Sequence, residues 1–269
     1  MNEDTRVAVC CYEGDQHQVI HSLGMYLHHE CPLVVLSPED SKAEIRYPGV
    51  ENRYGGKRAY IGQDSLDRQR EHLKILLTFP ENHFLIHDSD SVSLDPKIPD
   101  YLYAEPDLVW SNQVFDDIPE HQATFPEGWP HVAFQPPYFL SRKTIEAMLA
   151  VAEGITASPM MPFIDYYMVQ LTATAGLPWK RFLDCVSCPI AIDPVTHPRP
   201  TDHELSVYSN GFKIAMDHVR HKGANILHSV KDHRAVQALA EAHRAYLADH
   251  GGVAATEPVQ AAPHVGRKA

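Results

Sequence analysis

No apolar run in the sequence approaches the roughly 20 residues that a membrane-spanning helix needs. The start, Met1-Asn2-Glu3-Asp4, is acidic. A secretory signal opens on basic residues and continues into a longer apolar stretch. The expected location is therefore the cytoplasm. Cysteine is scarce: Cys10, Cys11, Cys31, Cys185 and Cys188 are five in 269 residues. An odd count in a long chain fits reduced thiols better than a disulfide framework. Positive charge is also short, with Lys plus Arg at 23 against 35 Asp plus Glu and a formal balance of −12. That argues against a broad surface devoted to nucleic-acid phosphates, while leaving room for a local basic channel. A phosphate loop is missing too. Gly55-Gly56-Lys57 lacks the upstream glycine and the following Ser/Thr that such a loop requires.

What is present is globular: 44% hydrophobic and 22% charged residues, enough for one large domain or two small ones. Thr5 to Tyr12 is short, apolar and β-branched, and reads as a buried first strand. Val19, Ile20, Leu23 and Leu27 follow at helical spacing, and Leu33-Val34-Val35-Leu36 forms a second apolar run. Strand, helix and strand in so few residues open a βαβ unit and imply a parallel sheet. Residues 41–62 read as a loop. Asp64 or Ser65 can cap a helix that runs to about Phe79. His83 to His87 is the next strand, and Leu108-Val109-Trp110 and Val132-Ala133-Phe134 are further candidates. Ser141 can cap a helix carrying Ile145, Met148, Leu149 and Ala152 on one face. Another helix holds Phe163, Tyr166, Tyr167 and Leu171, with Gly176 suited to its stop. Residues 189–211, with Pro189, Pro194, Pro198 and Pro200, read as irregular. A final helix spans about 232–249, and 251–269 reads as a disordered tail.

Asp88-Ser89-Asp90 is the most informative feature. Asp-x-Asp by itself is expected about once by chance in a chain of this composition. Its position raises its value. It follows directly on a buried strand in an α/β pattern, and ligands of such sheets bind at the carboxyl ends of strands. In continued extended backbone the two carboxylates point the same way. Two hard oxygen ligands suit Mg²⁺ or Mn²⁺, with water and phosphate oxygens completing the shell. An acidic turn that only caps nearby amides is the alternative.

On these residues and their order the chain resembles the nucleotide-sugar glycosyltransferases of the GT-A fold. The resemblance covers about residues 5–235 in element order. It implies a Rossmann-type, mostly parallel sheet flanked by helices, with a C-terminal acceptor-side extension, in a single domain over 1–250. Residues 5–100 would be the nucleotide-sugar-binding half and 101–250 the acceptor-side half. In that family a DxD motif closes the first half, an acidic residue stands at a helix start in the second, and a late histidine returns to the metal. Asp88 and Asp90, then Asp165, then His228 match these in turn. The sequence departs from the pattern twice. No Glu precedes Asp165, and Phe134-Gln135-Pro136-Pro137 stands where a Gly-rich loop is usual.

The resemblance implies a divalent ion held by Asp88, Asp90 and His228, with histidine favouring Mn²⁺ somewhat over Mg²⁺. Lys231 could add positive charge to the same diphosphate. Asp165 is the expected base of an inverting transfer. A helix N-terminus stabilises a carboxylate and so weakens it as a base. If Asp165 only caps its helix, a retaining mechanism stays open. Glu13, Asp15 and Asp40 follow the first two strands, where donor base and ribose would lie. Arg58 and Arg68 flank the route to the carboxylate pair and could contact phosphate, although the preferred reading of Arg68 is a solvated helix residue paired with Asp64 four residues earlier. Cys185, Cys188, His197 and His203 have unsuitable spacing for the common zinc finger, so two reduced thiols are the preferred reading. Trp110, Trp129 and Trp179 can stack on a ring or sit in the core.

Two other functions fit part of the pattern. One is a nucleotidyltransferase that forms nucleotide sugars, which normally carries a Gly-rich first loop that Glu13-Gly14-Asp15 lacks. The other is a non-catalytic nucleotide-sugar-binding protein. The acceptor is open. Size and element order more loosely resemble the phage glycosyltransferases that decorate hydroxymethylated DNA bases. Lys180, Arg181, Arg199, Lys213, Arg220, Lys222 and Arg234 could form the positive path that DNA needs, or simply belong to a mixed-charge surface.

Overall fold

The computed structural model of the chain describes residues 4–23, 26, 31–59, 61–115, 132–157, 164–187, 202–230 and 233–250. The first half runs β1 (Thr5–Cys10), α1 (Gln16–Ser22), β2 (Leu33–Ser37), β3 (Val50–Tyr54), α2 (Gly62–Leu76), β4 (His83–Asp88), β5 (Val92–Ser93) and a 3-10 turn (Asp100–Tyr103). The second half runs β6 (Val109–Phe115), β7 (Val132–Ser141), α3 (Arg142–Ala152), α4 (Ile164–Thr174), β8 (Trp179–Arg181), β9 (Cys185–Ser187), α5 (Asp202–Lys222), β10 (Ile226–His228) and α6 (His233–Asp249). No described helix is long and apolar enough to cross a membrane.

Seven strands form one sheet in the order β3-β2-β1-β4-β7-β6-β8. Only β7 runs against the others, pairing antiparallel with β4 and β6. The fold is thus α/β with a mostly parallel sheet flanked by helices. Strand alternation sends successive side chains to opposite faces. Ala8, Val34, Leu36, Phe84 and Ile86 pack on one side against Leu66 and Leu73 of α2, Met148 of α3 and Tyr167 of α4. Val7, Val9, Leu33, Val35 and Leu85 pack on the other side against Val19 and Leu23. Apolar residues in sequence on a strand are therefore all buried, each contributing about 1.5–3 kcal/mol. The one charge inside β1, Arg6, is matched at the amino end of the sheet. It makes paired bonds of 3.1 and 2.9 Å to Glu81 and one of 2.9 Å to Glu51.

A second sheet has the order β5-β10-β9. Its apolar face, with Val92, Val186 and Leu227, is covered by Ala215 and Val219 of α5 and Leu239 of α6. β5 follows β4 after a turn of three residues, so the Asp88–Ser91 turn joins the two sheets.

Several local expectations are corrected. Residues 41–62 are not all loop, because Val50–Tyr54 is the edge strand β3. Its residues are only partly buried and mostly polar, so no apolar run marks it. Helix α2 starts at Gly62 behind Ile61, which makes no side-chain cap bond. Asp64 lies in the first turn and Ser65 is buried inside the helix, so neither is the cap. Strand β7 is ten residues long and continues beyond Val132-Ala133-Phe134 through Pro136-Pro137. These prolines sit where the β6–β7 register shifts and no ladder N–H is needed. Helix α5 starts at Asp202, inside the stretch expected to be irregular. All four prolines of that stretch precede the helix, which explains how both can be true. Ser141 does cap α3, accepting from the Thr144 N–H at 3.1 Å. Gly176 ends α4 with φ 65°. The proposed tail 251–269 lies outside the described residues.

Gly55-Gly56 has a packing role. A Cβ on Gly56 would lie 2.6 Å from the Arg68 Cα, and its φ is +71°. The glycine lets this turn meet the backbone of α2. Gly49 has φ +83° but open space around it. Gly56→Ala should destabilise the protein by about 2–5 kcal/mol, and Gly49→Ala by about 1–2 kcal/mol, in urea denaturation. Equal losses would remove the close approach as the cause.

Candidate functional site

β1 and β4 are parallel neighbours, with Cys10 in register with Asp88. The chain leaves β1 toward β2 and β3 on one side, then crosses to β4 on the other. That reversal opens a crevice outside the carboxyl ends of β1 and β4, the standard ligand position in such sheets. Asp88 is the last residue of β4 and stands at this point.

The turn after β4 is held by its own backbone. Ser91 N–H donates to the Asp88 carbonyl at 3.1 Å. Asp88 N–H donates to Ser91 Oγ at 3.3 Å. The Val230 N–H donates to the Asp90 carbonyl at 2.8 Å, tying the turn to the end of β10. Ser229 between them takes φ 69°, a left-handed value unusual outside glycine. His228 Nδ1 comes to 4.0 Å from Asp90 Oδ1. Asp88, Asp90 and His228 offer ligand atoms that all lie within 4.8 Å of one another, the one such group of three among the described residues. Ligands of an ion at about 2.2 Å can be no more than about 4.4 Å apart, so a closure of a few tenths of an ångström completes the site.

The electrostatics fit a cation. Burial pushes Asp88 up to about 7, and the neighbouring Asp90 carboxylate pushes in the same direction, against His228 and Arg68. Asp165, in the first turn of α4, also raises it. Asp165 is itself pushed up to about 6 by burial, opposed by a hydrogen bond from Gln135. Gln135 accepts in turn from Ser187 Oγ at 3.2 Å. Burial therefore outweighs the helix terminus that was expected to weaken Asp165. The Cys10 thiol, raised to about 12 by burial and Asp88, is no nucleophile at neutral pH.

Arg68 is a second correction. It is 7% exposed, not a solvated helix residue. Its Nη1 donates to the Tyr12 hydroxyl, and its charge acts on Asp88. Arg58 lies over the same Tyr12 ring, 5.0 Å from its centroid, with Arg68 at 5.3 Å. Asp40 accepts from the Arg58 backbone N–H at 2.6 Å. Glu13 and Asp15 lie on the loop after β1. The Glu13 side chain is exposed, and Asp15 stands before α1 without a side-chain cap bond. Lys231, Trp129, Cys188 and His197 lie outside the described residues. Trp110 is core, 5.0 Å from Tyr101. Trp179 packs on Phe134 at 6.2 Å. Sequence reasoning missed Ser91, Gln135 and Ser187 in this site. Tyr12 was passed over as the end of the first strand, although an aromatic leaving a buried strand into the crevice was a usable signal.

The raised pKa of Asp88 has a measurable consequence. Its folded value lies above its ordinary 3.8, so stability from holding that proton is complete below about pH 4 and lost as pH rises to about 7. His72 and His87, both lowered to about 3 by burial, work in the opposite sense. The readout is therefore a difference between two proteins. With chelator present, the melting temperature of Asp88→Asn should rise relative to wild type as pH goes from about 4 to about 7. A difference independent of pH would contradict the buried carboxylate. The chain matches no known protein-family model, and no curated protein matches it.

Proposed function

We propose that this chain is a metal-dependent glycosyltransferase of the GT-A type, moving a sugar from a nucleotide diphosphate sugar to an acceptor hydroxyl. The observation that carries this reading is the convergence of Asp88, Asp90 and His228 at the carboxyl ends of β1 and β4, with half-buried Asp165 near enough to act on Asp88. A divalent ion there, Mn²⁺ ahead of Mg²⁺ because one ligand is an imidazole, supplies Lewis-acid stabilisation of the charge on the departing diphosphate.

The chain's own groups supply the rest. Asp88 and Asp90 give hard oxygen ligands, and His228 gives the third. Arg68, already close enough to act on Asp88, adds fixed positive charge on the α2 side. Tyr12, with Arg58 and Arg68 against its ring, offers an aromatic surface beside the donor position. Asp165 accepts the proton of the acceptor hydroxyl as its oxygen bonds to the sugar carbon and the bond to phosphate breaks. Its value of about 6 leaves it mostly ionised at neutral pH yet more basic than an exposed Asp. This assignment gives inversion at the sugar carbon.

For the acceptor, the reading extends to a hydroxymethylated base in DNA. Arg181 of β8 and Lys222 of α5 both lie near enough to act on His218, with Asp217 acting in the opposite direction. A locally basic surface is what a polyanionic acceptor requires.

Purified protein with Mn²⁺ and a panel of nucleotide diphosphate sugars should release nucleoside diphosphate. Asp88→Asn with Asp90→Asn should cut that release by roughly 100-fold or more. Turnover surviving the double change would overturn the site. Asp165→Asn should slow transfer to acceptor more than it weakens donor binding. Mass analysis of products from sugars, peptides and hydroxymethylated DNA identifies both the sugar and the acceptor.

A further inference from the structure

The main sheet ends in two unlike edge strands, β3 and β8. An edge strand offers unpaired backbone groups to any strand that reaches it, and proteins blunt such edges with short length, prolines or cations. β8 is blunted: it has three residues, and Lys180 and Arg181 are both exposed. β3 has five, Val50-Glu51-Asn52-Arg53-Tyr54, with no proline. Its one cation, Arg53, already pairs with Glu51 at 2.8 Å. Among the described residues, no strand lies against its outer side. The segment between β2 and β3 crosses a face of the sheet instead. Ala43 and Ile45 pack there with Leu33 and Val35, and the Ile45 backbone makes bonds of 2.9 and 3.0 Å to the Asn52 side chain.

The ladder to β2 fixes which backbone groups of β3 point outward. The Gly55 N–H donates to the Ser37 carbonyl at 2.9 Å. Alternate residues of a strand turn their backbone groups the same way. Glu51 and Arg53 therefore face β2, and Val50, Asn52 and Tyr54 face outward. The Val50 N–H donates to the Tyr47 carbonyl at 3.1 Å, which leaves the Asn52 and Tyr54 N–H groups and three carbonyls on the open side. A second copy of β3 satisfies them in one register. Antiparallel about Asn52, the two Asn52 backbones exchange a pair of bonds, and Tyr54 stands opposite Val50 of the other copy in the next hydrogen-bonded position. Between these lie the non-hydrogen-bonded pairs, where side chains come closest. There Glu51 of each copy faces Arg53 of the other, so charges alternate in sign on one face. Centring the pairing on Glu51 or Arg53 would set like charges opposite each other. Tyr47, next to Val50 and 43% exposed, adds apolar surface at the rim.

We propose that β3 is an interface between two copies of this chain, which join edge to edge in antiparallel register about Asn52 and double the seven-stranded sheet. The two-fold axis stands perpendicular to the sheet, so the carboxyl ends of β1 and β4 open in opposite directions in the two copies. β8 does not serve the same purpose, because self-pairing about its middle residue sets Lys180 against Lys180. No residue of the acidic cluster takes part, and the interface stands or falls apart from the proposed chemistry.

Sedimentation velocity on the whole chain over a concentration series tests it. Wild type should show a monomer–dimer equilibrium. Arg53→Glu sets acids opposite acids, and Glu51→Lys sets cations opposite cations. Each alone should raise the dimer dissociation constant about tenfold or more. An equimolar mixture of the two variants should recover the dimer, because every acid of one copy then faces a cation of the other. Arg181→Glu, at the opposite edge, should leave the equilibrium unchanged. Melting temperatures show whether the variants are folded, and in Glu51→Lys the Arg6 side chain keeps its paired bonds to Glu81. Amide hydrogen exchange locates the joint: the Asn52 and Tyr54 N–H groups should exchange more slowly in wild type than in Arg53→Glu. A wild type that stays monomeric overturns the proposal. A dimer that both charge variants leave intact overturns it too, as does a mixture of folded variants that fails to recover the dimer.

Discussion

The parallel pairing of β1 with β4 is the constraint on which the rest of the site depends. It puts Cys10 and Asp88 side by side at the point where strand order reverses. Both strands are buried on both faces, so their ends cannot slide without exposing core residues such as Val9 and Ile86. Everything nearby hangs from this fixed edge. Helix α2, which returns the chain from β3 to β4, brings Arg68 over Tyr12. The turn after Asp88 leads into β5, and β5 recruits β10 with His228 at its end. A single backbone bond from Val230 to Asp90 closes that circuit across 140 residues of chain.

Burying carboxylates at such an edge is costly unless something balances them. Asp90 and Asp165 both act on Asp88, with Arg68 and His228 as the groups that act on it in the opposite direction. A proton on Asp88 relieves part of the repulsion, and a divalent cation would relieve more. The net charge of −12 has little bearing on this balance. Many acids lie at the surface, as in the Arg46–Glu44 and Lys97–Asp100 pairs.

Legibility in the sequence followed burial. β1, β2 and β4 are buried on both faces, so they read as continuous apolar runs, and Asp88-Ser89-Asp90 drew notice because it interrupts one. β3 is an edge strand with Glu51, Asn52 and Arg53 in its middle, and no local pattern separates it from a loop. Arg68 was misjudged because its helix position looks solvent-facing from Asp64 alone. The glycine pair that lets another loop press on α2 is remote in sequence. Ser91 was invisible for a similar reason. A lone serine carries no pattern, and its contact with His228 comes from a β5–β10 register set by residues more than 130 positions away. The Ser187–Gln135–Asp165 chain likewise joins three separate elements.

Asp165 shows how magnitudes settle a conflict that sequence can only state. Its place in the first turn of α4 favours the ionised form. A helix terminus contributes about 0.3–1 kcal/mol, which is less than one pKa unit. The hydrogen bond from Gln135 adds to the same side. Burial nevertheless carries the carboxyl from 3.8 to about 6. Desolvation therefore exceeds the helix terminus and the amide together. Burial, more than position on the helix, sets the affinity of this Asp for a proton, which is the property its proposed role as a base calls on. The two favourable contacts keep it from going further, and a carboxyl raised much beyond neutrality would be protonated when the acceptor arrives. Gln135 thus opposes the effect of burial on the proposed base.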